Sequence, residues 1–126
     1  ELELLHHCPN GGSRNKAEAV KLKQMGVKAG IPDLCLPVPM GMYSGLYIEM
    51  KYDAGRLEDS QKKMLKALAA AGHYCTVCYG AEEAIRVLQE YINLKKIDTG
   101  NREDTMSEQN LMVRKNGKVK CIIFKE

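Results

Sequence analysis

Residues 46–51, Leu-Tyr-Ile-Glu-Met-Lys, put charge where a short apolar strand leaves least room for it. Side chains two apart on a strand share one face. Glu49 and Lys51 therefore point one way, and Leu46, Ile48 and Met50 the other. A second short apolar strand runs over residues 33–36, with Pro32-Asp33 at its head. If the two strands are neighbours, two carboxylates and one ammonium converge. Carboxylates that close repel unless a proton or a cation neutralises one, and an oxygen ligand set suits a hard divalent ion such as Mg²⁺. A plain surface ion pair between Glu49 and Lys51 fits the alternation too and would contribute little. It leaves Asp33, between Pro32 and an apolar strand, unexplained.

Around these strands the chain alternates helix and strand signals. Residues 2–8 are apolar around His6 and His7 and read as extended; adjacent histidines then face opposite ways and cannot readily share one ion. Pro9-Asn10-Gly11-Gly12 is a turn. Ser13 or Asn15 can cap a helix that reaches Met25 and stops at Gly26, with Ala17, Val20, Leu22 and Met25 as its apolar stripe. Glu18 lies near that stripe, either as a boundary residue paired with Lys21 or as a third carboxylate for an ion. Residues 27–32 are a loop in which Gly30 allows close backbone approach. Residues 37–45 form a mobile, Pro- and Gly-rich connection, and residues 52–56 a charged turn around Gly55.

A helix begins at Asp59 or Ser60 and ends at Gly72, with Leu57, Met64, Leu65 and Leu68 inward. Gln61 falls on that inward face and needs partners there: backbone at the helix start, or Lys51, a water or a phosphate. Residues 73–79 are a third, central strand, and Gly80 opens a helix with Ala84, Ile85, Leu88 and Ile92 inward. Residues 95–110 are polar and read as a linker. Residues 111–124 read as a β-hairpin around an Asn116-Gly117 type I′ turn. A two-stranded hairpin alone is barely stable, so it must pack on the main domain or on a second chain.

This order predicts an α/β sandwich around a small mixed β-sheet flanked by helices, plus the C-terminal β-hairpin. A chain of 126 residues suits one such core, divided as a main body 1–94, a linker 95–110 and a hairpin extension 111–126. No apolar stretch is long enough to cross a membrane, there is no signal-peptide pattern, and no organic cofactor is expected. Glu1 in place of Met points to a start inside a longer gene product. The net charge of +3 permits nucleic acid binding without demanding it. Arg14, Lys16, Lys21, Lys23 and Lys28 cluster upstream of the acidic residues, as a solvated helix face or as a phosphate-binding rim. The five cysteines are odd in number. Cys75-x-x-Cys78 sits on a strand, where residues three apart face opposite sides, and no second pair completes a zinc site. Buried free thiols in a reducing compartment are the better reading.

Several segments together carry a resemblance. Pro32-Asp33 with Glu49-x-Lys51 is similar to the PD-(D/E)XK signature of restriction-endonuclease-like nucleases. Joined to Pro9-Asn10-Gly11-Gly12-Ser13-Arg14, Glu18-Ala19, Gly26-Val27-x-Ala29-Gly30-x-Pro32-Asp33-Leu34 and Gln61, it resembles the VRR-NUC nucleases, above all small stand-alone phage and prophage members, over residues 4–93. The resemblance implies a restriction-endonuclease-like core and a divalent-metal-dependent DNA endonuclease. It implies Asp33, Glu49, Lys51 and Gln61 as catalytic residues. Mg²⁺ or Mn²⁺ would be held by Asp33, Glu49, the Met50 carbonyl and Glu18. Lys51 would touch phosphate and attacking water as an electrostatic stabiliser rather than a base, since the carboxylates hold its proton on. Asn10, Arg14, Lys16 and Lys21 would contact the DNA backbone. The stand-alone members imply a homodimer that cuts branched DNA such as four-way (Holliday) junctions in DNA repair, in the cytoplasm of a bacterial host.

Two departures stand out. Glu58 occupies the place of the Ser in the family's usual Ser-x-x-Gln cap. Larger members also carry a further acidic residue on a helix upstream of Pro-Asn-Gly-Gly; here either Glu18 serves instead or that part is missing. The hairpin lies outside the resemblance. A non-catalytic DNA-binding or assembly domain that keeps the nuclease fold is the main alternative, and the presence of Asp33, Glu49 and Lys51 together argues against it. A redox or zinc protein built on the cysteine pair would lose its fold to a chelator.

Overall fold

A computed structural model of the chain describes residues 2–9, 20, 25–26, 28–94 and 110–123. Most of the helix expected before Gly26, with Arg14, Lys16, Glu18, Lys21 and Lys23, lies outside the described residues, as do Asn10 and the linker up to residue 109; of the expected apolar stripe, Val20 and Met25 are described and are exposed rather than inward. Among the described residues, six strands form one mixed sheet in the order of the chain. They are β1 (His6–His7), β2 (Leu34–Leu36), β3 (Leu46–Lys51), β4 (Tyr74–Tyr79), β5 (Asn110–Lys115) and β6 (Lys118–Ile123). β1, β2 and β3 pair antiparallel, β3, β4 and β5 parallel, and β5 and β6 antiparallel. Two helices, α1 (Asp59–Ala70) and α2 (Ala81–Ile92), supply the crossovers on either side of β4.

The alternation along β3 and β4 sorts the core into two layers. Leu65 of α1 packs with Cys75, Val77 and Leu111 on one face. Leu36, Leu46, Ile48 and Cys78 pack with Ala84, Val87 and Tyr91 of α2 on the other. Cys75 and Cys78 thus belong to opposite layers. Burial pushes their thiols up to about 12 and about 11, and all five cysteines are free.

Four further expectations need adjustment. Residues 2–4 form a single 3₁₀ turn before the short edge strand, not one extended segment. The 37–45 connection is tied down: Met40 is buried and bridged to Tyr43, and the Tyr91 hydroxyl donates to the Val38 carbonyl at 2.6 Å. On α2 the expected Ala84, Leu88 and Ile92 pack on the core, but Ile85 does not, and the stripe extends to Val87 and Tyr91. Ala84, Val87 and Tyr91 are buried, whereas Ile85 is 54% exposed. Apolar residues continue round this helix past the edge of the stripe. The hairpin starts one residue early, at Asn110, and joins the sheet itself, with β5 beside β4. Its turn has φ of 53° at Asn116 and 74° at Gly117, both positive as a type I′ turn requires.

Candidate active site

The site grows from a mismatch in strand length. β2 begins at Leu34, opposite Ile48, so β3 runs on past the end of that ladder through Glu49, Met50 and Lys51. Extending the register by one residue sets Asp33 across from Glu49, on the same face. In β3 the residues alternate in which neighbour their backbone addresses. Odd-numbered residues address β4: the Lys51 carbonyl accepts from the Gly80 N–H at 3.1 Å. Met50 therefore addresses the β2 edge, beyond the point where β2 can answer. Asp33 answers instead, its Oδ2 accepting the Met50 N–H at 2.7 Å. N–H and C=O of one strand residue leave from the same edge, so the Met50 carbonyl also opens toward Asp33.

Glu49 is 2% exposed. Its Oε1 accepts from the Gln61 amide at 3.2 Å, while its Oε2 is buried without a hydrogen-bond donor. Burial raises the Glu49 pKa to about 8, with the Asp33 charge and carboxyl contact adding to it and Glu58 a little more; Lys51 pulls the other way. Two facing carboxylates repel, and without a cation between them that repulsion adds to the burial penalty on the charged form. Lys51 is half-buried on the Glu49 face. Its stem meets the turn that follows, where a Cβ on Gly55 would lie 3.6 Å from Lys51 Cδ.

Gln61 fills the expected helix-start role and has a second partner that was not expected, Glu49 in place of Lys51, a water or a phosphate. Its Oε1 accepts the Glu58 backbone N–H at 2.9 Å, and Glu58 and Gln61 form a reciprocal capping box. Glu58 thus caps the helix in place of the usual Ser. The other end of the Gln61 amide holds Glu49. Gly30 brings the Asp33 loop to this helix start: its φ is +80°, and a Cβ there would stand 2.3 Å from the Ser60 carbonyl oxygen. The edge strand fixes the same loop, the Cys8 N–H donating to the Asp33 carbonyl at 2.8 Å.

Asp33, Glu49, Lys51 and Gln61 are thus brought together, with the Met50 backbone between them. Glu18, Asn10, Arg14, Lys16 and Lys21 lie outside the described residues. His6 and His7 pair with Cys35 and Leu34 and so face opposite sides, and no group of three or more His, Cys, Asp or Glu side chains suited to an ion occurs among the described residues. The residues present nonetheless fit a hard cation. Two adjacent carboxylates, one buried oxygen without a donor and one strand-end carbonyl form an all-oxygen set with negative charge to spare. Sequence reasoning missed the brace on the turn after Lys51. The Tyr79 hydroxyl donates to the Gly55 carbonyl at 2.6 Å and Lys115 Nζ to the Asp53 carbonyl at 3.0 Å. Both donors are distant in sequence, and only the β4–β5 pairing brings Lys115 there.

The family model of the VRR-NUC domain matches residues 1–82. A solved structure described as a VRR_NUC domain protein is similar at a TM-score of 0.66 and 39% sequence identity, over 76% of this chain and 73% of that one. No curated protein matches. No helix among the described residues is long and apolar enough to cross a membrane.

Proposed function

This chain belongs to the VRR-NUC family, and from that premise we propose that it is a divalent-metal-dependent endonuclease that hydrolyses phosphodiester bonds in branched DNA, four-way junctions among them. A VRR-NUC domain implies a nuclease of the PD-(D/E)XK type, which acts on DNA and is generally metal-dependent. The observation that carries the reading is the buried Glu49 carboxylate, with Oε2 lacking a donor and Asp33 beside it.

Asp33, Glu49 and the Met50 carbonyl are the groups that would hold Mg²⁺ or Mn²⁺, with Glu18 a further candidate. When bound, such an ion neutralises the phosphate, acidifies an attacking water and steadies the leaving oxygen. The chain's own groups supply position and charge. Asp33 is held by the Met50 N–H and Glu49 by Gln61, so neither carboxylate must reorganise when phosphate arrives. Lys51 brings a positive charge to the same face and stabilises the pentavalent phosphate. Its role is that of a fixed charge beside the phosphate rather than a base. Asn10, Arg14, Lys16 and Lys21 would grip the DNA backbone away from the reacting bond. A homodimer, its two sites related by a twofold axis, would place paired nicks on opposite strands of a junction. Such work belongs where DNA is, in the cytoplasm of a bacterial cell.

The test is a panel of labelled junction, flap and duplex DNA incubated with Mg²⁺, Mn²⁺ or EDTA, alongside a solution mass. Cutting that needs the ion and favours branched DNA is expected. Equal cutting of every substrate would remove the branch preference, and absence of cutting would remove the nuclease reading.

A further inference from the structure

The C-terminal hairpin lies beyond residues 1–82, the part that the family model matches, yet the fold holds it in one place. Its turn is anchored on α2, where the buried Glu83 carboxylate accepts the Gly117 N–H at 3.2 Å. β5 is tied to β4 by the Thr76 hydroxyl, which donates to the Met112 carbonyl at 2.8 Å. In this register Lys51 of β3 stands beside Tyr79 of β4, and Lys115 of β5 beside Lys118 of β6. One more step of the β4–β5 ladder sets Tyr79 beside Lys115, whose Nζ lies 4.6 Å from the centre of the Tyr79 ring. Residues side by side in neighbouring strands point to the same face. Lys51, Lys115 and Lys118 therefore share the Glu49 face of the sheet, and Lys120, opposite Val113, shares it too. Lys115, Lys118 and Lys120 are exposed, and no ion pair occupies their ammonium groups among the described residues.

We propose that the hairpin is a DNA-binding arm, with Lys118 and Lys120 gripping the phosphate backbone of the duplex that leads away from the cut. The inference rests on the nuclease reading, which makes DNA the partner, and deepens it by giving the substrate a second contact. Neighbouring strands lie about 4.8 Å apart, so Lys118, three strands from Lys51, stands about 14 Å away across the sheet. That is the span of roughly four phosphates of one strand along a duplex axis. The turn after Lys51 lies between them, held down by Tyr79 and Lys115. It adds the exposed Arg56 and the exposed Asp53, whose charges cancel. Lysines also guard an exposed sheet edge against pairing with another strand, and β6 ends the sheet among the described residues. A guard has no need of one particular face. Here both lysines of β6 lie on the face of the cut, and Val119 and Cys121 on the other face are uncharged. Contacts of this kind carry no base preference; they fix where the duplex lies.

The test measures binding of a labelled four-way junction, in EDTA and over a series of salt concentrations, to the parent and to the double variant Lys118→Ala with Lys120→Ala. Each phosphate contact contributes about 0.9 to the slope of log affinity against log salt, so the double variant should lose about two from that slope. Lys118→Glu with Lys120→Glu should bind more weakly still. Both residues are exposed and stand away from the reacting bond. The melting temperature, and kcat at saturating DNA in Mn²⁺, should therefore match the parent while KM rises. An unchanged slope overturns this proposal alone. An unchanged slope with a raised solution mass would make the lysines guards of the edge strand, and overturn it too. Binding is read apart from cutting. A parent that binds DNA with the expected slope difference but cuts none in Mg²⁺ or Mn²⁺ removes the nuclease reading and leaves the arm standing, whereas a parent that binds no DNA, with or without Mg²⁺, removes both.

Discussion

Both faces of the sheet bury charge, and the two faces treat it differently: on the α2 side Glu83, 4% exposed, is paired with Arg86 and the Gly117 N–H. Under α2, Arg114 is 7% exposed and answered by the chain itself: its guanidinium meets Glu90 at 2.6 Å and the Tyr74 hydroxyl at 3.3 Å. One nitrogen, Nε, lacks a partner, but the charge is compensated. Under α1, Glu49 is 2% exposed, has a second carboxylate beside it, and keeps one oxygen without a donor. The ammonium of Lys51 offsets this only in part. A buried charge that the fold neutralises holds the fold together; one that it leaves over marks where something from outside is expected.

The contrast can be broken from either side. The largest effect belongs to the active face. Lys51→Ala or Asp33→Ala should lower cutting on the order of a thousandfold, the scale of losing one preorganised electrostatic partner, while folding and DNA affinity change little. A Lys51→Ala protein that cuts at the parent rate would strip Lys51 of its role. Next, Arg114→Ala should cost about 2–3 kcal/mol of stability by leaving Glu90 and Tyr74 unanswered, read by denaturant unfolding, with cutting per folded molecule unchanged. Glu90 is 60% exposed, which keeps this figure below that of a fully buried pair.

Smallest in size, but opposite in sign, is Glu49→Gln. The folded-state pKa of Glu49 is raised from the usual 4.5 to about 8. Across that window the folded state binds more protons than the unfolded one, so metal-free stability should fall as pH rises from 4.5 to 8. Glu49→Gln removes that slope and should be the more stable protein at pH 8 by about 1–2 kcal/mol, although it no longer cuts. Thermal melts at several pH values in EDTA would show it. Parallel pH profiles for the two proteins would mean that Glu49 is not the uncompensated charge.

Much of this contrast was legible in residues 46–51. The two-residue period of a strand fixes which side chains share a face, so Glu49 beside Lys51 and opposite Ile48 followed from spacing alone, and the observed β3 has the expected ends. Asp33 was legible as an acid at a strand head. What spacing cannot carry is the partner of Met50 N–H, because that bond exists only where β2 stops short of β3. Gln61 was recognisable as inward, but its double bonding to Glu58 and Glu49 depends on how Gly30 lets the loop lie on α1. On α2 the expected Ala84, Leu88 and Ile92 do pack inward, but Ile85 was wrongly included and Val87 and Tyr91 were missed, because apolar residues continue round the helix past the edge of the stripe. Arg114 gave no signal: on a hairpin of alternating charge it looks like a surface residue until β5 docks beside β4 and Tyr74 and Glu90 close over it.

The central claim is that Asp33 and Glu49 make one cation site, and the most direct test is thermal melting with and without Mn²⁺ at pH 7, for the parent, Asp33→Ala and Glu49→Gln. The ion should raise the melting temperature of the parent, as ligands that bind only the folded state do, and should leave both variants where they were. An equal rise in all three proteins, or none in the parent, would contradict it.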